Sequence, residues 1–380
     1  MKKIITSTLL LALVLGASAQ NKMMREAQKN YSGKKIPEAV GAIRAAMLDP
    51  TTPLDAATYL VQARIYVAAS DALFANKFPQ AEDTAYAALK MSLSLDNSDK
   101  NKFLAESEIG KLSTALYEKG SVVYTEGNFS RAADFYQKAY ETILLAEQID
   151  TGALFNVALC AEKAEDNARA LETYEQLAGM GYRNIIVYQH LALLYEKAER
   201  TDDASRMLDV SIEIFPDDSM AYLIAANENL VLDKHEKVVA IGKAAAEKFP
   251  VFPLLYIILG ASYQNSGDMD NAEINYRKAY EQNSDDYQTN FRIGAFYVEK
   301  GNKVKTAAEN LPLDAGELYN SEQARAKEIF LKAIPHLVKA LELSPDNLAV
   351  MKTLRDLYNF IKEGDKAAEL NSKINTLEGN

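Results

Sequence analysis

A 34-residue period is the feature of this sequence that most limits how the chain can fold. Its clearest copy is Pro253–Asp286, PLLYIILGASYQNSGDMDNAEINYRKAYEQNSDD, which reads as two amphipathic helices around the turn cluster Asn265–Asp268. Small residues recur at steps of 34, namely Ala158, Ala192, Ala226, Gly260 and Gly294. A period of this length predicts helix pairs that bury their apolar faces only against neighbouring pairs.

Three further series of residues also recur at intervals of 34. They are the alanine or valine series Ala170, Ala204, Val238 and Ala272, the tyrosine series Tyr188, Tyr222 and Tyr256, and the helix-ending residues Pro216, Pro250 and Ser284. Small residues allow the two helices of a pair to approach, aromatic residues fill the space between pairs, and proline ends the second helix. The agreement of these series predicts an all-α fold.

The pattern resembles that of the tetratricopeptide repeat family. The family spacing runs from a bulky residue to a small residue, an aromatic, an alanine, an aromatic, an alanine and a proline. It is matched by Tyr256, Gly260, Tyr263, Ala272, Tyr276 and Ala279, with Ser284 at the proline position. The resemblance covers most of the chain and implies a right-handed α-solenoid of about nine antiparallel helix pairs, a superhelix of the tetratricopeptide type.

The predicted segments differ in how closely their residues match the repeat pattern. The segments are a signal peptide at 1–19, divergent helical repeats at 20–98, a regular array at 99–286, an extended repeat with an inserted helical hairpin at 287–346, and a C-terminal capping repeat at 347–380. A polar stretch, Asp96–Lys102, is predicted to connect two pairs. The capping helix is rich in Lys, Glu and Asn, as suits a solvent-facing end.

One repeat is interrupted by 27 additional residues centred on Asn302–Arg325. Leu311–Gly316 reads as a turn between helical flanks, so we expect both helices of this pair to be lengthened and to project from the stack as a hairpin. Pro335 would interrupt the second helix at a cost of about 3 kcal/mol. Burial of Phe330, Leu331, Leu337 and Leu341 is expected to offset that cost.

The first twenty residues, MKKIITSTLLLALVLGASAQ, have the features of a secretory signal. Lys2 and Lys3 precede a short apolar run, and Ala17-Ser18-Ala19 forms a small-residue cleavage site, so the mature chain is expected to begin at Gln20. No cysteine follows the apolar run, so a bacterial lipoprotein anchor is not expected. The mature chain is predicted to lack a transmembrane segment and to reside in the periplasm, with secretion or outer-membrane association left open.

Composition and motifs argue against several functions. The net charge of −11 disfavours a nucleic-acid partner. His190, His235 and His336 fall in different repeats without a second ligand at metal spacing, and no cofactor-binding or hydrolase motif is present. We therefore expect no metal, no cofactor and no enzymatic activity. Cys160, the only cysteine, is expected to be a small buried apolar residue.

The resemblance also implies a binding surface, because the first helices of stacked tetratricopeptide repeats line a concave groove. The groove residues implied here are Phe155, Leu159, Gln189, Leu193, Leu223, Asn227, Ile257, Gln264 and Phe291, together with Ala261. Such an apolar surface with scattered amides suits a peptide or an amphipathic helix of a protein partner. A non-catalytic protein-interaction scaffold of the bacterial cell envelope is therefore the predicted function, through this groove or the 302–325 hairpin.

Two alternatives stay open. A nutrient- or glycan-binding accessory protein of the outer membrane would carry similar repeats, but such proteins usually have tryptophan platforms and a lipoprotein cysteine, and this chain has no tryptophan. A self-assembling structural role is the other alternative. The sequence does not determine the oligomeric state, and light scattering would separate a concentration-dependent oligomer from a monomer.

Overall fold

A computed structural model describes residues 22–71, 73–74, 76–312 and 314–379 of the chain. These residues form eighteen α-helices and contain no strand, which confirms the all-α prediction. The predicted signal segment 1–19 lies outside the described residues. Among the described helices, none combines the length and the low charge that a membrane crossing requires.

The chain divides into two compact units, Met1–Tyr182 and Arg183–Asn380. Unit 1 contains α1 Lys22–Ser32, α2 Ile36–Leu48, α3 Ala56–Ala69, α4 Ala81–Leu95, α5 Asp99–Thr125, α6 Phe129–Leu144, α7 Thr151–Lys163 and α8 Asn167–Gly179. Unit 2 contains α9 Ile185–Lys197, α10 Thr201–Ile214, α11 Ser219–Val231, α12 His235–Lys248, α13 Pro253–Asn265, α14 Met269–Gln282, α15 Tyr287–Glu309, α16 Gly316–Leu343, α17 Leu348–Ile361 and α18 Gly364–Glu378. Successive helices pack as hairpins, so the described residues contain the nine predicted pairs.

Short acidic side chains begin many of the helices. The Asp268 carboxylate accepts a hydrogen bond from the Asn271 N–H at 3.1 Å, and the Asp286 carboxylate accepts one from the Thr289 N–H at 2.7 Å. Asp150 caps α7 in the same way. Each cap pairs a backbone donor that the first helical turn leaves without a partner.

The turn within each regular pair repeats in the backbone as it does in the sequence. Glu165, Glu199, Asp233 and Gly267 have φ angles of 61°, 58°, 60° and 86°, at steps of 34 residues. This left-handed conformation costs a residue with a Cβ about 1–2 kcal/mol. Only Gly267 of the four lacks a Cβ. The packing of the two flanking helices, and not the intrinsic preference of the turn residue, therefore stabilises the left-handed conformation at the other three positions.

Close approach of the two helices in a pair depends on the predicted small residues. A Cβ on Gly260 would lie 2.8 Å from the Tyr276 ring, and one on Gly294 would lie 2.6 Å from Leu337. The pair α11–α12 has Gly242 where an aromatic is usual, and Leu259 of the next pair fills that space. The packing roles assigned to Gly260 and Gly294 are therefore confirmed.

The region around Asp96–Lys102 differs from the prediction. The connector is only 96–98, because α5 begins at Asp99 and runs for 27 residues. Asn101 is buried, and its side-chain amide donates to the backbone oxygens of Ser92 at 3.0 Å and Asp96 at 2.7 Å. Residues 96–100 are exposed, and the buried Asn101 joins the end of α4 to the start of α5 through these hydrogen bonds.

The interrupted repeat has two long helices, as predicted. The helices α15 and α16 contain 23 and 28 residues, compared with 13 and 14 in α13 and α14. The base of the predicted hairpin is packed, because Ala308 and Ala326 are buried there. The Phe330 ring also packs edge-on against Phe360 of α17, with centroids 5.0 Å apart. At the tip, the described residues 309–312 and 314–320 are exposed or half-buried.

Pro335 lies inside α16, as expected. Phe330 and Leu337 are buried beside it, but Leu331 is 48% exposed, so its predicted burial is wrong. Cys160 is buried as expected, and burial raises the pKa of its thiol to about 11.

Glycine substitutions test this packing. A Cβ on Gly301 would lie 2.4 Å from the Phe330 ring, whereas a Cβ on Gly110 in α5 would meet nothing within 4 Å. We expect Gly301→Ala to lower the free energy of unfolding by about 1–3 kcal/mol through overpacking. The matched control Gly110→Ala should raise it by about 0.5–1 kcal/mol through helix propensity. Thermal and urea unfolding followed by circular dichroism measure both, and a Gly301→Ala protein as stable as wild type would contradict the packing.

Candidate functional site

The first helices of the pairs in unit 2 lie side by side. The helices α9 and α11, α11 and α13, and α13 and α15 are in direct contact. The second residues of α9, α11 and α13 are Ile186, Met220 and Leu254, which stand 34 residues apart and are 41%, 48% and 46% exposed. We call these three residues the apolar ridge. Sequence reasoning missed them, although the 34-residue step that revealed the core series would have found them.

The predicted groove residues of unit 2 continue this surface along each helix. Gln189 and Leu193 lie one and two turns after Ile186, and Leu223 lies one turn after Met220; all three are half-buried. Residues three and seven positions apart share a helix face, so these side chains stand on the ridge side of α9 and α11.

Two of the predicted groove residues in unit 2, Asn227 and Ile257, are not half-buried. Asn227 is exposed, and its amide donates to Glu228 at 3.5 Å. Burial raises the pKa of the Glu228 carboxyl, and the charge of Glu196 raises it further. Ile257 is only 7% exposed, so it packs in the core and offers little surface to a partner. On the ridge side of α13, Leu254 and Ala261 are therefore the accessible apolar residues.

Phe155 and Leu159 belong to unit 1 and are half-buried on α7. The Phe155 ring lies 6.4 Å from the Tyr174 ring and 6.2 Å from the Tyr182 ring, centroid to centroid. These contacts give Phe155 a packing role within unit 1.

Gln264 connects two first helices and is not a free groove amide. Its side chain donates to Glu299 of α15 and accepts from the Tyr276 hydroxyl at 2.8 Å. Glu299 also pairs with Lys303 at 2.7 Å, and hydrogen bonding to Lys303 lowers the pKa of the Glu299 carboxyl. This polar chain borders a cavity on the same side of α15.

The cavity has a volume of about 600 Å³ and lies between α15, α16 and α17. It is lined by Phe291, Ala295, Val298, Glu299, Asn302, Lys303, Thr306, Leu337, Ala349 and Thr353. Phe291, which the sequence assigned to the groove, stacks on Tyr287 with centroids 5.8 Å apart. The cavity therefore joins a predicted groove residue to the base of the predicted hairpin, two features that the sequence could not connect.

A network behind the cavity ties α14, α15 and α16 together. The Glu273 carboxylate accepts hydrogen bonds from Lys300 at 2.6 Å and from the Tyr297 hydroxyl at 3.0 Å, and Lys332 lies 4.0 Å away. Burial alone would raise the pKa of Glu273, but these hydrogen bonds outweigh it and the pKa lies below its usual value. Burial and the adjacent carboxylate raise the pKa of Tyr297 to about 12.

His336 is held beside this network. Its ring lies 4.9 Å from the Tyr280 ring and is stacked 6.3 Å from the Tyr297 ring, and Nδ1 is 3.4 Å from the Asn290 side-chain oxygen. Burial lowers the pKa of His336. No group of three or more His, Cys, Asp or Glu side chains in the described part of the chain is placed to hold a metal ion.

Comparisons with known proteins agree with this architecture. The model of the tetratricopeptide repeat family matches residues 254–286. A CTR9 homolog of Arabidopsis thaliana is 22% identical over 271 residues, which cover 70% of this chain and 22% of the relative. The photosystem I assembly protein Ycf3 of Prochlorococcus marinus (strain NATL1A) is 31% identical over 85 residues, covering 22% of this chain and 48% of the relative. The chain thus spans less than half the length of these relatives.

Two solved structures are similar to about half of this chain. A crystal structure of MamA has 18% identity and a TM-score of 0.36, covering 50% of this chain and 90% of MamA. YrrB, described as a TPR protein with an unusual peptide-binding site, has 16% identity and a TM-score of 0.36, covering 54% of this chain and 97% of YrrB. These TM-scores are too low to define the fold, which is defined by the helices of this chain. The described residues contain nine helix pairs, and the segment 254–286 matches the model of the tetratricopeptide repeat, so the chain is similar to tetratricopeptide repeat proteins.

The Glu273 network gives a pH-dependent prediction. We expect Glu273→Gln to lower the free energy of unfolding by about 1–2 kcal/mol at pH 7, because the charge that pairs with Lys300 is lost. The folded-state pKa of Glu273 lies below its usual value of 4.5, so this contribution is present above that pH and is lost as the pH falls through the folded-state pKa. Urea unfolding at pH 7 and at pH 3.5 measures the difference.

A matched control is Glu309→Gln, which removes the surface ion pair with Lys305 at 3.6 Å. Its effect should stay within about 0.5 kcal/mol at either pH. An effect of Glu273→Gln that does not shrink in acid would contradict the role given to the carboxylate.

Proposed function

We propose that this chain is a non-catalytic scaffold that binds an amphipathic helix or apolar peptide of a protein partner through the apolar ridge of unit 2. The observation that carries the proposal is the regular exposure of Ile186, Met220 and Leu254 at one register of adjacent helices. Exposed apolar side chains that form a contiguous row on a folded protein mark interaction sites.

The dimensions of the ridge favour an elongated apolar partner. Neighbouring packed helices are about 8–10 Å apart, so three successive first helices place the ridge residues over about 20 Å. A partner helix would cover that distance in about 13 residues, using apolar side chains on one face. The cavity beside Phe291 and Val298 would accept a bulky side chain at the end of such a segment, since its volume lies in the range of binding pockets.

The proposed location is the bacterial cell envelope, with the periplasm as the compartment. Support comes from the N-terminal sequence, with Lys2 and Lys3, the apolar run and the cleavage site Ala17–Ala19. The glycan-binding alternative gains no support from the relatives named above, none of which is described as a glycan-binding protein.

Ridge substitutions test the binding surface. Met220→Glu combined with Leu254→Glu places two charges on exposed positions and should leave the fold intact. We expect at least a tenfold loss of the partner recovered by crosslinking in the native cell, since buried interface anchors each contribute about 1–2 kcal/mol or more. Quantitative mass spectrometry of the crosslinked species is the measurement.

The matched control for the ridge variant is Ile274→Glu, at an exposed apolar residue of the second helix α14. It should retain the same partner at the wild-type level. Equal recovery by the ridge variant and the control would contradict binding through the ridge.

Export is tested separately by N-terminal sequencing of the protein from fractionated cells. We expect the chain in the periplasmic fraction to begin at Gln20, because the signal peptidase requires the small residues at 17 and 19. A protein that starts at Met1 and stays in the cytoplasmic fraction would contradict the proposed location without bearing on the ridge.

A further inference from the structure

Unit 1 contains a second cavity, lined by charged residues that the sequence patterns did not single out. Its volume is about 500 Å³, and it lies among α1, α3, α5 and the segment that follows α3. Three cations, Lys34, Arg64 and Lys111, and two anions, Asp71 and Glu108, line it. The cavity thus carries a net positive charge in a chain whose net charge is −11.

Glu108 is the centre of this group. Its side chain is 4% exposed, and its carboxylate accepts hydrogen bonds from Arg64 Nε at 3.1 Å and Lys111 Nζ at 3.2 Å. A buried carboxylate is tolerated only when it is paired in this way. Glu108 therefore holds the Arg64 guanidinium by one nitrogen in a fixed orientation at the cavity wall.

Two cationic side chains of the site, Arg64 and Lys34, have donors that make no hydrogen bond within the described residues. Within the described residues, Arg64 bonds only through Nε, and Lys34 makes no hydrogen bond through its ammonium group. Asp71, the second acid, accepts from the Leu73 N–H at 2.9 Å and so caps its own segment. The Nη atoms of Arg64 and the ammonium of Lys34 can therefore receive an anion without breaking a bond of the fold.

Part of the cavity wall is apolar. Val67, Ala68 and Phe74 line it beside the cations. A guanidinium with two free nitrogens matches the two oxygens of a carboxylate or phosphate, and the apolar wall suits a hydrocarbon body attached to that group.

We propose that this cavity binds a small amphipathic oxyanion, with its charged group on Arg64 and Lys34 and its apolar body against Val67 and Phe74. Glu108 is a positioning residue that orients Arg64 and does not contact the ligand. The site lies in unit 1 and is independent of the ridge in unit 2.

The test uses three six-carbon probes that share one apolar body, namely hexanoate, hexyl phosphate and the neutral hexanamide. Isothermal titration calorimetry on the full chain should show saturable binding of at least one of the two anions and none of hexanamide. Preference for hexanoate or for hexyl phosphate identifies the charged group as a carboxylate or a phosphate. Affinity should fall as salt is raised, because the attraction is partly exposed to solvent.

Two variants assign the binding to the named residues. Arg64→Lys keeps the charge but removes the two-nitrogen fork, so we expect about a ten- to hundredfold loss of affinity. Lys34→Ala, at an exposed residue, should weaken binding several-fold without affecting the fold. Lys29→Ala, at an exposed lysine of α1 that does not line the cavity, is the matched control and should bind as wild type does.

Absence of saturable binding for both anions would overturn the proposal, as would wild-type affinity in both Arg64→Lys and Lys34→Ala. The Met220→Glu, Leu254→Glu protein should bind the anion normally. Failure of the oxyanion site is thereby distinguished from failure of the ridge.

Discussion

The helix pairs depend on side chains that enter space left free by a missing or small side chain on the facing helix. Tyr276 lies over Gly260, Leu337 over Gly294 and Phe330 over Gly301, each closer than a Cβ would allow. Such contacts let two helices approach closely, and the apolar surface that remains on each pair is buried by the next pair. Because each pair is completed by its neighbours, a lost contact in one pair weakens the stack as well as the hairpin.

Three successive first helices of unit 2 each keep one apolar residue exposed, and these residues form the apolar ridge. The next first helix, α15, lines the cavity between α15, α16 and α17. The long helices α15 and α16 do not simply extend into solvent, since Phe330 packs on Phe360 of the capping pair. The lengthened helix pair therefore adds a cavity, and it adds packing contacts with the capping pair at the C-terminal end of the array.

Much of the architecture could be predicted because it depends on local spacing. Helix pairs, the long pair at 287–343 and the small residues at Gly260 and Gly294 all follow from positions along the chain. The exposure of single side chains could not be predicted in this way. Leu331 is exposed and Ile257 is buried, although both are apolar residues on amphipathic helices, because the angle at which a neighbouring helix packs decides which edge of an apolar face is covered.

The sequence by itself determined the all-α class, the 34-residue period and the place where that period is broken, since these depend only on residue size and spacing. Tertiary structure decided which residues meet across the pairs. Arg64 and Glu108 are 44 positions apart and form an ion pair in which the Glu108 side chain is buried, and Phe291 and Thr353 line one cavity. No periodic pattern marks such meetings, because they depend on how whole helices are set against one another.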